Sequence, residues 1–184
     1  MNGGARYTRT AVALHWLVAL GVFCAFPLGV YMYELPLSPR KLQLYSYHKW
    51  IGIGVLLLAA LRILWRAGHP PPPLPQGMPR WQKLAAQAAH YGLYFLMLAA
   101  PLSGWLMSSA LGVGVVWFGA IPLPDLIGKD QALGELLKQV HWVLNFTLLA
   151  MVLAHAAAAI QHHIFERDEI LARMLPFLKP GSKS

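Results

Sequence analysis

Charged residues and cysteine are both scarce in this sequence. Only 12% of its 184 residues are charged, whereas 57% are hydrophobic, a balance far from that of a soluble domain of this length. The single cysteine, Cys24, lies within an apolar run. One cysteine excludes a disulfide framework, a thiolate metal cluster and the Cys-x-x-Cys-His motif of covalently attached haem. The composition therefore predicts a protein of the lipid bilayer.

Acidic residues are scarcer still, with 7 Asp and Glu against 15 Lys and Arg. An excess of basic residues can indicate nucleic-acid binding. Here, however, the basic residues lie at the ends of apolar runs rather than in a patch interleaved with aromatic side chains. We therefore expect the lipid bilayer as a partner and no nucleic acid.

Four apolar stretches are long enough to cross about 30 Å of hydrocarbon as helices. The first also fits a signal peptide, but its uncharged run of 24 residues and the early His15 favour a retained helix. The predicted helices cover about 9–33, 42–66, 81–109 and 136–165, with a short amphipathic helix over 168–175 that Pro176 stops. The expected fold class is all-α, an integral membrane four-helix bundle forming a single domain over 1–184.

Two further features place this bundle in the membrane. Glycines and prolines interrupt the segment 111–124, which we expect to be an apolar loop or short helix anchored at the interface by Trp117 and Phe118. Ten Lys and Arg residues, Lys179 and Lys183 among them, fall on the side of the termini, against five on the other side. Cytoplasmic segments carry the excess of cations, so both termini are expected on the cytoplasmic side of a bacterial inner membrane.

Histidines recur within these apolar stretches. His141 and His155 are fourteen residues apart, which in a helix is about 21 Å along the axis and about 40° around it. Both imidazoles therefore project from nearly one face. Because successive helices alternate in direction, His15 shares the inner layer with His155, and His48 shares the outer layer with His141. Each histidine could hydrogen-bond a neighbouring helix, or each layer could bind a metal.

Haem suits the two layers better than zinc or copper does. Two imidazoles from different helices fit the axial positions of a haem iron, and Gly52, one turn from His48, would let a flat ligand approach. A structural zinc site normally needs four ligands in one layer. In the inner layer His90 could be a third metal ligand, but we favour a role in packing or at the haem edge. His162, about 10 Å beyond His155, could contact a haem propionate or a quinone, or be an interfacial residue.

Longer motifs surround these histidines. They are RTAVALHW, YSYHKWIGIGVLLLAALRILWR, AAHYGLYFLMLAAPLSGW, LKQVHWVLNF and LAHAAAAIQHHIF. With them the sequence resembles, almost from end to end, the bacterial cytochrome b561 family of small four-helix dihaem membrane proteins. The resemblance implies two b haems, one ligated by His15 and His155 and the other by His48 and His141.

The end of the fourth predicted helix matches the pattern of that family at one point and differs from it at another. The double histidine is present as His162 and His163, whereas Glu166 and Arg167 replace the aromatic and basic pair expected soon after it. One branch of the family is a superoxide oxidase that passes electrons from superoxide to ubiquinone. The resemblance therefore implies a superoxide:ubiquinone oxidoreductase.

Cations near the outer histidines suit that function. Two axial histidines leave no open position on iron, so superoxide would react by outer-sphere electron transfer. The residues that could steer this anion are Arg40, Lys41, Lys49 and Lys138. They could equally be ordinary interfacial cations.

Two other functions remain open at this point. The chain could be a non-enzymatic electron-transfer subunit that links another redox protein to the quinone pool. It could also be a histidine-lined metal transporter. The absorption spectrum of the purified protein separates these functions, because a reduced b-haem α band excludes the transporter and its absence excludes both cytochromes.

Overall fold

The computed structural model describes residues 6–75, 77–175 and 177–178. Across these residues the fold consists mainly of four α-helices: α1 (Arg9–Glu34), α2 (Pro39–Gly68), α3 (Arg80–Ala110) and α4 (Gln131–Gln161). Each is long and apolar enough to span a membrane. The prediction of an all-α, multi-pass membrane protein is therefore confirmed. Pro176, Lys179 and Lys183, used above, lie outside the described residues.

Two helices begin earlier than hydrophobicity alone predicted, because polar side chains cap them. Ser38 Oγ accepts a hydrogen bond from the backbone N of Lys41 at 3.2 Å, so α2 begins at Pro39 rather than near 42. Proline is tolerated at this first position, where its missing N–H has no helical partner. Asp130 caps α4 in the same way, and α4 begins at Gln131 rather than near 136. Such caps stabilise a helix by about 1 kcal/mol each.

The connection between α3 and α4 begins with a left-handed glycine. Gly112 has φ +68°, and the backbone N of Val113 donates to Ser108 O at 2.9 Å. This bond satisfies a carbonyl at the end of α3 and turns the chain away from the helix axis. Glycine suits the position because it carries no Cβ to oppose a positive φ.

The segment 111–124 contains a small hairpin rather than a simple loop or short helix. Its antiparallel strands are β1 (Val116–Trp117) and β2 (Ile121–Pro122). Two tryptophans fasten it to α2: Trp50 Nε1 donates to Val116 O at 2.7 Å, and Trp117 Nε1 donates to Trp50 O at 3.1 Å. Trp117, which was expected to anchor this segment at the membrane interface, therefore also contacts α2.

The C-terminal segment differs from the prediction. The helix is followed by a π-helical turn, His162–Glu166, which ends at Arg167 with φ 51°. The short helix expected over 168–175 is wrong, since these residues form turns. Asp168 Oδ1 accepts from the backbone N of Ile170 at 3.0 Å and starts the first turn. Amphipathic composition alone does not form a helix, because the first turn must fix several residues for a single hydrogen bond.

Helices that are adjacent in sequence also pack together: α1 against α2, α2 against α3, and α3 against α4. Their shared core lies near mid-height and consists of Val18, Val55, Ala59, Leu93, Leu96, Met97 and Leu148. Large apolar side chains elsewhere point outwards, and Phe23 and Leu57 are 62% and 52% exposed. An apolar surface of this kind suits lipid rather than water. The core separates the two ends of the bundle, where the histidines lie.

Candidate functional site

The four helical histidines form two pairs at opposite ends of the bundle. His48 and His141 lie near the hairpin, with ring centroids 6.2 Å apart, and we call them the hairpin-side pair. His15 and His155 lie towards the chain termini, with centroids 6.3 Å apart, and we call them the termini-side pair. Each pair joins α4 to a different helix, α2 or α1. These are the partners that the helix directions predicted.

The spacing within each pair suits a shared metal ion. An imidazole nitrogen lies about 1.1 Å from the centre of its ring and bonds a first-row metal at about 2.0–2.1 Å. Two rings on opposite sides of one iron therefore have centroids about 6.2–6.4 Å apart. The measured separations of 6.2 and 6.3 Å both match this requirement. Each pair could thus supply both axial ligands of one haem iron.

The hairpin-side imidazoles are held through Nδ1. His48 Nδ1 lies 3.0 Å from Ala25 O, and His141 Nδ1 lies 2.9 Å from both Ala100 O and Ser103 Oγ. A carbonyl oxygen only accepts, so in each ring Nδ1 carries the proton and donates. That tautomer leaves the Nε2 lone pair for a metal. In His141, Nε2 lies 3.2 Å from Asn145 Nδ2 and accepts from it, so a metal bound there would take the place of this hydrogen bond.

A mainly apolar cavity opens between the hairpin-side rings and receives side chains from all four helices. It is bordered by the following residues, among others: Phe26, Pro27, His48, Gly52, Pro101, His141, Asn145 and Leu149. A Cβ placed on Gly52 would meet no atom within 4 Å, so this glycine borders free space beside His48. An apolar slot with an open glycine wall suits a flat macrocycle, as the sequence predicted for Gly52.

The termini-side pair has a third imidazole beside it. His90 of α3 lies with its ring centroid 5.4 Å from that of His155, closer than two ligands on opposite sides of one iron would be. The nitrogens of His15, His90 and His155 do not all come within 4.8 Å of one another, as a compact three-histidine metal site requires. His90 is therefore placed beside His155 and not opposite it across an iron. His15 Nδ1 is buried without a hydrogen-bond partner among the described residues.

Two arginines of α2 add positive charge to the termini side. Arg62 and Arg66 both lie 5.5 Å from the centroid of the Tyr94 ring. Arg62 is close enough to interact electrostatically with His15, His90 and His155. Among the described residues no carboxylate lies within 4.0 Å of either guanidinium. Half-buried cations without a counter-ion suit an anionic ligand group.

His162 is held by two carboxylates. Its Nδ1 lies 2.7 Å from Asp168 Oδ2 and 3.0 Å from Glu166 Oε2. Glu166 in turn accepts from Gln82 Nε2 at 3.3 Å, which connects this turn to α3. The residue that departs from the family pattern, Glu166, is therefore a direct partner of the histidine. Nε2 is the ring nitrogen left for a propionate or a quinone.

Of the four cations considered for steering an anion, three make contacts within the chain. Lys49 Nζ donates to Val113 O at 2.9 Å, and Lys41 Nζ donates to Tyr33 O at 3.1 Å. Lys138 pairs with Glu135 at 3.4 Å on the surface. Arg40 is exposed at the start of α2. Lys41 and Lys49 therefore also hold chain segments near the hairpin-side pair, whereas Lys138 pairs within its own helix.

Comparison with known proteins identifies the architecture. The sequence profile of prokaryotic cytochrome b561 matches residues 6–177. The chain belongs to this family. It is 34% identical over 176 residues to cytochrome b561 homolog 2 of Escherichia coli K12, covering 95% of this chain and 93% of that protein. It is 31% identical over 175 residues to the probable superoxide oxidase CybB of Yersinia pestis, covering 93% and 96%. The resemblance inferred from the histidine motifs is confirmed.

Membership in the cytochrome b561 family has direct consequences for this chain. It is a multi-pass bacterial membrane protein of electron transport, and the family implies b-type haem. The cytochrome b561 homolog 1 of Escherichia coli K12 is a further relative, 31% identical over 186 residues, with 93% of this chain and 97% of that protein covered. The family match extends across all four helices.

Several residues of this cytochrome b561 chain that shape the histidine sites were not singled out from the sequence. They are Ala25, Gly29, Ala100, Ser103, Gly104 and Asn145. Most act through a backbone carbonyl or through the absence of a side chain, and neither leaves a chemical signature in the sequence. Two of them carried a visible signal, because Asn145 and Ser103 are polar residues within apolar runs.

Proposed function

We propose that this cytochrome b561 protein binds two b haems, one between His48 and His141 and the other between His15 and His155. The observation that carries the proposal is the ring separation, 6.2 Å in one pair and 6.3 Å in the other. Both equal the span of two imidazoles that share one iron. Fourteen residues of α4 put the two sites about 21 Å apart along the helix axis.

The surroundings of both pairs fit haem. The apolar cavity beside Gly52 offers a macrocycle an apolar wall at the hairpin side. At the other end, Arg62 and Arg66 would face the propionate carboxylates, which supply the negative charge that these guanidiniums otherwise lack. His90 would pack at the macrocycle edge. When bound, haem supplies reversible one-electron chemistry at each end of the bundle.

We further propose that electrons pass from superoxide to ubiquinone. Two superoxide anions each give up one electron and leave as O₂, and the two electrons with two protons from water convert ubiquinone to ubiquinol. A relative that is 31% identical bears the name probable superoxide oxidase, and Arg40, Lys41, Lys49 and Lys138 place positive charge around the hairpin side. His162, seven residues beyond His155 towards the C-terminus, is the proposed contact for ubiquinone.

The excess of cations on the side of the termini supports an inner-membrane orientation with both termini in the cytoplasm.

One observation favours a second candidate, an electron-transfer cytochrome that accepts electrons from another redox protein. Lys41 and Lys49 donate to backbone carbonyls, and Lys138 has a carboxylate neighbour. These contacts give the three lysines a structural role that does not depend on superoxide. The two candidates share the haem sites and differ only in the electron donor.

Haem stoichiometry tests the shared part of the proposal. The purified protein should contain two haems per chain by its reduced pyridine spectrum. His15→Ala should remove one haem and His48→Ala the other, so that the double variant contains none. His90→Ala is the matched control and should keep two, because its ring lies too close to His155 to oppose it across an iron. Loss of a haem from His90→Ala equal to that from His15→Ala would refute the pairing.

Rapid mixing with superoxide separates the two candidates. A unit charge about 8 Å from superoxide contributes about 0.5 kcal/mol in water, so Arg40→Gln should slow haem reduction about twofold at low salt. The rate should also fall as ionic strength rises. Arg80→Gln is the control, since it removes another exposed arginine, at the opposite end of the bundle. Absence of haem reduction by superoxide, or a rate indifferent to salt and to Arg40, would favour the electron-transfer cytochrome.

A further inference from the structure

Two glycines lie in close contact with the hairpin-side imidazoles, one against each ring. A Cβ on Gly29 would lie 3.0 Å from His48 Cε1, and a Cβ on Gly104 would lie 2.9 Å from His141 Cε1. Ordinary carbon contacts begin near 3.5 Å. Each ring therefore occupies the space that the Cβ of any other residue would take at the glycine position. Gly29 belongs to α1 and Gly104 to α3, so each ring is contacted by a neighbouring helix.

Each glycine works with a carbonyl one helical turn earlier on the same helix. His48 Nδ1 donates to Ala25 O at 3.0 Å, and Ala25 precedes Gly29 by four residues. His141 Nδ1 donates to Ala100 O at 2.9 Å, and Ala100 precedes Gly104 by four. Residues four apart lie on one face of a helix, so the carbonyl and the glycine meet the same imidazole. We call each such combination an Ala–Gly clamp.

The two Ala–Gly clamps fix the ring planes. A hydrogen bond from Nδ1 fixes the direction of the ring within its plane, and the close approach of glycine to Cε1 and Nδ1 limits rotation about the Cβ–Cγ bond. The planes of His48 and His141 are 89° apart, close to perpendicular. The planes of His15 and His155 are 61° apart, and His15 Nδ1 has no hydrogen-bond partner among the described residues. Only the hairpin-side pair therefore has both rings held in this way.

We infer that Gly29 and Gly104 are positioning residues that hold the two hairpin-side imidazoles perpendicular, and that this orientation distinguishes the hairpin-side haem electronically from the other. The inference rests on the proposed haem ligation. Each axial imidazole donates into the iron d orbital perpendicular to its own plane. Perpendicular rings therefore act on two different d orbitals and leave them nearly equal in energy, which makes a ferric low-spin signal strongly anisotropic.

Electron paramagnetic resonance of the ferric protein reports this orientation without any turnover. The wild-type spectrum should contain a strongly anisotropic low-spin signal at low field and a second, less anisotropic signal. The low-field signal should persist in His15→Ala and vanish in His48→Ala, which assigns it to the hairpin-side haem. If that haem gave the less anisotropic signal in the wild type, the inferred ring orientation would be refuted. If the wild type bound fewer than two haems, the proposed ligation itself would fail first.

Glycine variants test the clamps directly. Gly29→Ala and Gly104→Ala should each shift the low-field signal towards lower anisotropy, or remove that haem alone, and leave the second signal in place. Gly54→Ala is the neutral control, because its Cβ would meet no atom within 4 Å. Gly92→Ala is the packing control, because its Cβ would lie 2.8 Å from Met151 Cε and touch no histidine. Unchanged spectra in both test variants, or the same shift in Gly92→Ala, would overturn the inference.

Discussion

Replacing Ser103 with alanine should raise the midpoint potential of the hairpin-side haem. Ser103 Oγ donates to Ala100 O at 2.7 Å and lies 2.9 Å from His141 Nδ1, from which it accepts. The side chain is buried, with the residue 5% exposed, so water does not readily replace the hydroxyl. A hydrogen bond from Nδ1 increases the electron donation of an imidazole and so favours ferric iron. Losing part of that bond therefore favours the ferrous state.

The size of the shift follows from how many acceptors remain. A neutral hydrogen bond contributes about 0.5–1.5 kcal/mol net. Ala100 O still accepts from His141 Nδ1 at 2.9 Å after the substitution, so the loss should fall in the lower half of that range. If the lost hydrogen bond stabilised ferric over ferrous iron by about 0.5–1 kcal/mol, the one-electron potential rises by about 20–40 mV.

Potentiometric titration followed in the α band measures this shift. It is best performed on a His15→Ala background, where the proposed ligation leaves one haem and one transition. Ser108→Ala is the matched control, since Ser108 lies on the same helix and is equally buried but does not contact His141. A potential that falls or stays constant in Ser103→Ala, or that rises equally in Ser108→Ala, would refute the role assigned to this hydroxyl.

Two further predictions concern stability and orientation. Trp50→Phe removes the 2.7 Å hydrogen bond to Val116 O and should lower the free energy of unfolding by about 0.5–1.5 kcal/mol, measured in detergent by thermal denaturation. The exposed Trp142→Phe is its control, and an equal loss in both would exclude a specific contribution from the hairpin contact. A reporter fused to the C-terminus should be active only in the cytoplasm, and periplasmic activity would invert the proposed orientation while leaving both histidine pairs intact.

The sequence by itself determined the class of the protein and the chain positions of its histidines. Long apolar runs cross a bilayer as helices, because each helix satisfies its own backbone hydrogen bonds. Four such runs in succession alternate in direction, which is enough to pair His15 with His155 and His48 with His141. These conclusions need only hydrophobicity, length and order along the chain. The helix predicted over 168–175 from amphipathic composition was wrong, since these residues form turns.

Tertiary structure alone decided how each imidazole is held. The 5.4 Å separation of His90 from His155 depends on the rotation of α3, which no periodicity in one helix specifies. The carbonyls of Ala25 and Ala100, and the missing side chains of Gly29 and Gly104, act only because neighbouring helices approach closely at those heights. A backbone carbonyl is present at every residue, so the sequence cannot mark which one meets a histidine. That choice is made by helix packing, because distances between side chains depend on rotations and translations of whole helices.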